Sequence, residues 1–386
     1  MSGAGTWRLL LLVLCLFVFG GGPVCAAKET AGIAEKGFSD SLRLDEVQDV
    51  FDGLVQQDNG NVFSIKEYVT GIMEGEYEFS FREFFHCAAS QLGAQFDGQK
   101  QTFLKILALG ILSGIFINFA GTIGDRDLSE TGFYVTFLLL FVTMSAGFAA
   151  VSEVAAQALE NLLTFMKVLI PSFSLTLCLG SGTGTSVAYY ETMLIAISLL
   201  EMSMLYVFFP GVQVYFMLNT INQLADNHFS KMAELVRSFL RFGIKVLFGV
   251  LIGYQGIQGM LLPVMDRVKN NAVLKTAKGL PGVGNSIGSV ADTVLGSGML
   301  IKSAVGVGGI LCIVVLCFYP LLKLFVFQLL YRLGSALVQP VSDKRVAAAL
   351  HTAAESGMLL MKFVFAGALM FLLSITIVVI STNLTI

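Results

Sequence analysis

The chain has 386 residues, 55% of them hydrophobic and only 13% charged, a composition that excludes an ordinary water-soluble globular domain and makes the bilayer its folding solvent. Its formal net charge of -3 leaves no basic surplus to neutralise phosphates, so nucleic acid is excluded as a partner. The charges are unevenly spread: residues 28 to 100 carry six Lys or Arg against fourteen Asp or Glu, and the rest of the chain is mostly apolar runs separated by short charged intervals.

At the start, Arg8, the apolar run Leu9 to Phe19 and the small-residue stretch ending at Ala26-Ala27 have the three regions of a secretory signal. Residues 1–27 are therefore expected to be a signal peptide, with an uncleaved anchor as the alternative. Either way, residues from about 28 onward are expected outside the cytoplasm. Residues 28–100 read as an extracytoplasmic helical segment. Val47, Val50, Phe51, Leu54 and Val55 form one helical stripe, and capping boxes at Ser64 to Glu67 and Ser80 to Glu83 open two further amphipathic helices. Those stripes need a surface to pack on, whether each other, the membrane or another subunit.

Residues 101–386 are expected to form the transmembrane domain. Seven stretches are long and apolar enough to span: 103–122, 133–151, 163–179, 187–221, 244–262, 304–331 and 358–381. The fourth is too long for one straight span and contains Pro210, which predicts a kink there or an extra short segment at 211–221. Seven spans would put Ile386 inside. Between them, 228–242 reads as an interfacial helix, with Phe229, Met232, Leu235, Val236, Phe239 and Leu240 opposite Lys231, Glu234, Arg237 and Arg241. Weaker versions occur at 151–163 and at 341–357, the latter with Val346, Ala349, Leu350 and Ala353.

Three similar strings, Met166-Lys-Val-Leu-Ile170, Ile244-Lys-Val-Leu-Phe248 and Met361-Lys-Phe-Val-Phe365, suggest a threefold repeat of hairpins over 133–179, 187–262 and 304–381. Under that idea Lys167, Lys245 and Lys362 share one depth. The fold class is thus all-α: a polytopic membrane protein of about seven spans with interfacial helices and a possible three-hairpin repeat.

Chemistry is sparse. The six cysteines have no C-x-x-C spacing, the three histidines are isolated, and no phosphate loop, metalloprotease or nucleophile-elbow motif occurs, so no metal, cofactor or enzymatic activity is expected. The informative residues are intramembrane. Carboxylates at bilayer depth are costly, so Glu191 and Glu201 mark a polar conduit lining, structural ion pairs with a base such as Lys167 or Lys245, or, for Glu201, burial as a protonated acid. Asn219 extends that polar face, and Lys167, Lys245 and Lys362 sit about one turn inside their spans, where a lysine stem can snorkel to the interface. Gly110-x-x-x-Gly114 and Gly249-x-x-x-Gly253 offer close helix contacts within the chain or between copies.

At Lys278-Gly-Leu-Pro281-Gly-Val-Gly284 and Asp292-Thr-Val-Leu-Gly296-Ser-Gly-Met-Leu-Ile301-Lys302-Ser-Ala-Val-Gly306-x-Gly308 the chain resembles the stage III sporulation protein AE family. The leader, the acidic segment, Phe133-Tyr-Val-Thr-Phe137, Pro171-Ser-Phe173 and the Gly180 to Ser186 connection fit the same layout. The resemblance implies a non-enzymatic subunit of the channel complex joining mother cell and forespore, in the mother-cell membrane around the forespore. It implies as partners the other stage III sporulation protein A operon products, stage II sporulation protein Q of the forespore, and membrane lipid. The competing expectation is an autonomous permease for a small solute.

Overall fold

The computed structural model describes residues 44–56, 81–123, 126–181, 183–224, 228–278 and 284–383. The signal-peptide stretch 1–27 and the capping box at Ser64 lie outside the described residues. Among the described residues there is no strand. The elements are α1 (Leu44–Gln56), α2 (Phe81–Ile123), α3 (Arg126–Ser181), α4 (Thr183–Leu200), a π-helical segment (Glu201–Phe208), α5 (Phe209–Leu224), α6 (Ser230–Lys278), α7 (Gly284–Val338) and α8 (Lys344–Asn383).

Among the described residues, four helical stretches are long and apolar enough to cross a membrane: Glu130–Cys178, Thr183–Leu224, Ile301–Val338 and Lys344–Ile380. They regroup the seven expected spans. The stretches 133–151 and 163–179 fall within α3, because Val151 to Leu163 contains no proline or glycine to stop a helix. The stretches 103–122 and 244–262 lie on α2 and α6, which are not among the four, and both run into side chains outside the described set. At 56 residues α3 is roughly 84 Å long, nearly three times the hydrocarbon thickness, so one bilayer covers only part of it.

Helices α3 and α7 run antiparallel and pack closely. Gly147 meets Tyr331 and Gly309 meets Leu169. The α8 helix runs parallel to α3: Gly367 faces Leu159, and Gly306 of α7 touches both Phe173 and Val379. Small residues at these points let the backbones approach closely, as in other membrane bundles. The α7–α8 turn is tied by Ser335 Oγ donating to the Ala347 carbonyl at 2.8 Å. Asp343, the α8 N-cap, accepts from the Arg345 N–H at 2.8 Å.

The interfacial helices are not separate elements. Residues 151–163 form the middle of α3, with Val151, Ala155, Ala158 and Leu162 in the core. Residues 228–242 continue without a break into α6; Phe229, Met232, Leu235 and Phe239 are exposed, whereas Leu240 is buried against Gly211. The stripe at 341–357 is wholly internal: Val346, Ala349, Leu350 and Ala353 are all buried. An apolar stripe looks the same in sequence whether lipid or protein covers it.

The threefold repeat also fails in its first unit. Residues 187–262 and 304–381 do form helix–turn–helix hairpins, but 133–179 is one uninterrupted helix. Nor do the lysines share a depth. Gly367 is level with Leu159, which puts Lys362 level with about residue 154 of α3, roughly 20 Å along the axis from Lys167. Short apolar strings recur by composition alone, and the lysine strings are such a recurrence.

The first expected amphipathic helix is α1. Val47 and Phe51 are fully buried, and the Phe51 ring packs edge-on to Phe165 of α3, with centroids 6.1 Å apart. Its stripe is covered by the chain's own α3. The third expected helix, beginning at Phe81, is continuous with the span after it, so α2 crosses the boundary placed at 100 without interruption.

Candidate intramembrane polar site

Two backbone irregularities meet where α3 passes the α4–α5 helix. Pro171 has no N–H to bond the Lys167 carbonyl one turn earlier, so the α-helical ladder is broken at Lys167. Across from it, Glu201 opens the eight-residue π segment, which closes with the Phe209 N–H bonded to the Met204 carbonyl, five residues back. Pro210 explains its position. A proline there cannot donate to Tyr206 and would clash with it, and widening the preceding turns to π geometry relieves the conflict. The long fourth stretch therefore continues through Pro210 as helix.

At this crossing Lys167 Nζ lies 3.0 Å from Glu201 Oε2. The side chains keep 48% and 39% of their exposure, so the pair lies on the bundle surface and is not sealed in the core. The structural ion pair expected for Glu201 is thus present, with Lys167 as its base. Glu191 is exposed on α4 and lies ten residues earlier, roughly 15 Å along the helix. Lys245 is exposed on α6, close to the Gly243–Phe208 contact, and takes no part in the pair.

A second polar centre forms around Glu355 of α8, an acid that the sequence pattern does not mark out. Glu355 Oε2 accepts from the Tyr215 hydroxyl at 3.1 Å, and Oε1 pairs with the Arg237 guanidinium. His351 Nε2 is 3.9 Å from the same Oε1. One turn away, Asn219 Nδ2 donates to Thr352 Oγ1 at 2.8 Å. Asn219 therefore belongs to this centre rather than to a face shared with Glu201. Asn222 Oδ1 accepts from the Phe229 N–H at 2.8 Å, closing the α5–α6 turn. The signal in the sequence is a lone acid, four residues after His351, in an alanine-rich helix.

A cleft of about 270 Å³ separates the middle of α3 from α7, lined by Gln157, Asn161, Tyr319, Pro320 and Lys323. Pro320 removes a ladder bond here as Pro171 does on α3. Among the described residues no three His, Cys, Asp or Glu side chains come together as a metal site, and the buried Cys312 and Cys317 are free thiols.

A helical bundle with membrane-length apolar helices, broken ladders and a surface ion pair where they cross defines an integral membrane protein of the multi-helix class. The chain belongs to the stage III sporulation protein AE family, whose model matches residues 63–382. It is 20% identical over 390 residues to the stage III sporulation protein AE of Bacillus subtilis strain 168, covering 98% of each chain. No solved structure matches it.

Proposed function

We propose that this protein is a non-enzymatic integral membrane subunit of the channel complex between mother cell and forespore, sitting in the mother-cell membrane around the forespore. Family membership supports the sporulation role. The observation that carries the conducting role is the half-exposed Lys167–Glu201 pair at a double break in the helices. Charged groups and freed backbone carbonyls at membrane depth are stable beside water or a polar partner, not beside acyl chains. The partners proposed are the other stage III sporulation protein A operon products and, directly or through them, stage II sporulation protein Q. The amino-terminal segment faces outside; the inside placement of Ile386 rests on seven spans and falls with the merger of 133–151 and 163–179 into one helix.

The experiment replaces the host copy in an endospore-forming strain with this chain and with a Lys167→Met, Glu201→Met double variant. It scores heat-resistant spores and passage of a small fluorescent tracer from mother cell to forespore. Wild type restores both, and the inserted double variant restores neither fully. Normal tracer passage in the strain lacking the protein would overturn the proposal. The broken helix beside a charged pair also suits an autonomous permease working by alternating access. Solute uptake by the purified chain alone in liposomes would select that reading.

A further inference from the structure

Between Val151 and Ile170 every exposed residue of α3 is polar: Glu153, Gln157, Glu160, Thr164 and Lys167. They follow at intervals of four, three, four and three residues, so they form one row on one face, roughly 21 Å long. Nearer its amino end the same helix exposes Tyr134, Val135, Leu138, Leu139 and Val142 instead, and beyond the row it exposes Leu175. The Lys167–Glu201 pair hands the row over to α4, where Ser198 and Glu191 are exposed roughly 5 and 15 Å from Glu201. Ser186 of α4 meets Ser174 of α3, so Glu191 lies onward from the pair and not back beside the row. Together the two rows cover roughly 36 Å, against about 30 Å of hydrocarbon.

The flanks at this height are apolar. With Gly147 against Tyr331 and Gly309 against Leu169, Thr164 is level with Val314 and Val315 of α7, both exposed. Val207, six residues past Glu201, is exposed as well. Apolar side chains on two flanks and charged ones on a third, at one height, divide the surroundings into lipid and water. The backbone adds acceptors along the same strip. Pro171 leaves the Lys167 carbonyl without its helical donor. Pro320, in the cleft lined by Gln157, Asn161, Tyr319 and Lys323, does the same to the Leu316 carbonyl. Charge gives the strip a preference. Among the described residues Glu153, Glu160 and Glu191 have no base within ion-pair distance, Lys167 and Glu201 cancel, and Lys323 is the one base lining the cleft.

We propose that this strip is the wall of a water-filled path at membrane depth, taking small hydrated cations in preference to anions. It rests on the conducting role proposed above, to which it adds a wall and a charge preference.

The test places single cysteines, Gln157→Cys, Thr164→Cys or Ser198→Cys, in the full-length chain in phosphatidylcholine liposomes. Membrane-impermeant methanethiosulfonates carrying trimethylammonium or sulfonate are added, and modification is read by mass as the increment over the parent chain, whose Cys312 and Cys317 are buried. All three positions are exposed, so the changes leave the core intact. Each should react. After correction for intrinsic rates, the cationic reagent should be faster by on the order of fourfold, the effect of one unpaired carboxylate about 10 Å away in water. Adding Glu153→Gln and Glu160→Gln to Gln157→Cys should bring that ratio to about one or below while the thiol still reacts. Val207→Cys and Val314→Cys, at the same height on the apolar flanks, should stay unreactive. Unreactive cysteines along the row, or flank cysteines as fast as Thr164→Cys, would overturn the path, and a ratio unchanged by the glutamine pair would overturn its preference for cations. Labelling needs only the purified chain, so an unreactive row sinks this inference whatever tracer passage shows, and tracer passage without the protein sinks the conducting role whatever the labelling shows.

Discussion

The two small-residue motifs that look alike in sequence should respond in opposite ways to the same substitution. Gly114 faces the α7–α8 turn. A Cβ there would overlap the Val341 carbonyl oxygen, approach its carbon to 2.8 Å and come within 3.1 Å of the Ser342 Cα. These are backbone atoms and cannot rotate aside, so either α2 or the turn must move. Overpacking of this kind costs about 1–3 kcal/mol, and a backbone collision belongs at the upper end. Alanine recovers about 1 kcal/mol of helix propensity, leaving Gly114→Ala destabilised by about 2 kcal/mol. At Gly110 the obstacle is the pair of Val338 methyls, at 2.8 and 2.9 Å, which can change rotamer, so Gly110→Ala should cost less. Gly249 and Gly253 meet nothing within 4 Å, so Gly249→Ala and Gly253→Ala should be neutral or gain up to about 1 kcal/mol. Unfolding of the four purified variants in one detergent, followed by helical circular dichroism, gives the order. A Gly114→Ala protein as stable as Gly253→Ala would refute the close approach of α2 to the turn.

Three further outcomes are expected. Glu355→Ala should cost about 2–3 kcal/mol, below the fully buried range because Arg237 and Glu355 keep about a quarter to a third of their exposure; Arg237→Met with Glu355→Leu together should cost less than the sum of the single changes, and additivity in a double-mutant cycle would remove the pair as a stabilising contact. Glu201→Gln should leave the protein inserted yet reduce heat-resistant spores more than Glu191→Gln, since only Glu201 holds the Lys167 ammonium; equal spore counts for the two would detach Glu201 from conduction. Phe51→Ala should cost about 3 kcal/mol or more by emptying the site against Phe165, releasing α1 for limited proteolysis while the later helices stay protected.

Several features depend only on local chemistry, and the structure keeps them. The stripe at Val47 and Phe51 makes a helix because its period is helical, and its apolar face is buried as such a face must be. The length of the apolar stretches makes membrane helices whatever they pack against. An intramembrane carboxylate needs a base, and Lys167 is one of the two that the sequence offers to Glu201.

The features that differ from expectation turn on where neighbours lie. Nothing within Val151 to Leu163 distinguishes a helix lying on the membrane from the middle of one long helix; that depends on α7 and α8 packing alongside it through Leu159 and Leu169. The stripe at Val346 to Ala353 is apolar in either setting, and only the helices packed around α8 decide that protein covers it. Glu355, Tyr215, Arg237 and Asn219 come from α8, α5 and α6, up to 140 residues apart, so no sequence window contains that centre. Composition and periodicity determined by themselves that the chain is helical and lives in a bilayer, because those depend on the solvent each residue prefers. Which polar groups meet and which stripes face lipid were decided only by the tertiary structure, because pairing energies arise between atoms that the chain brings together after the helices have formed.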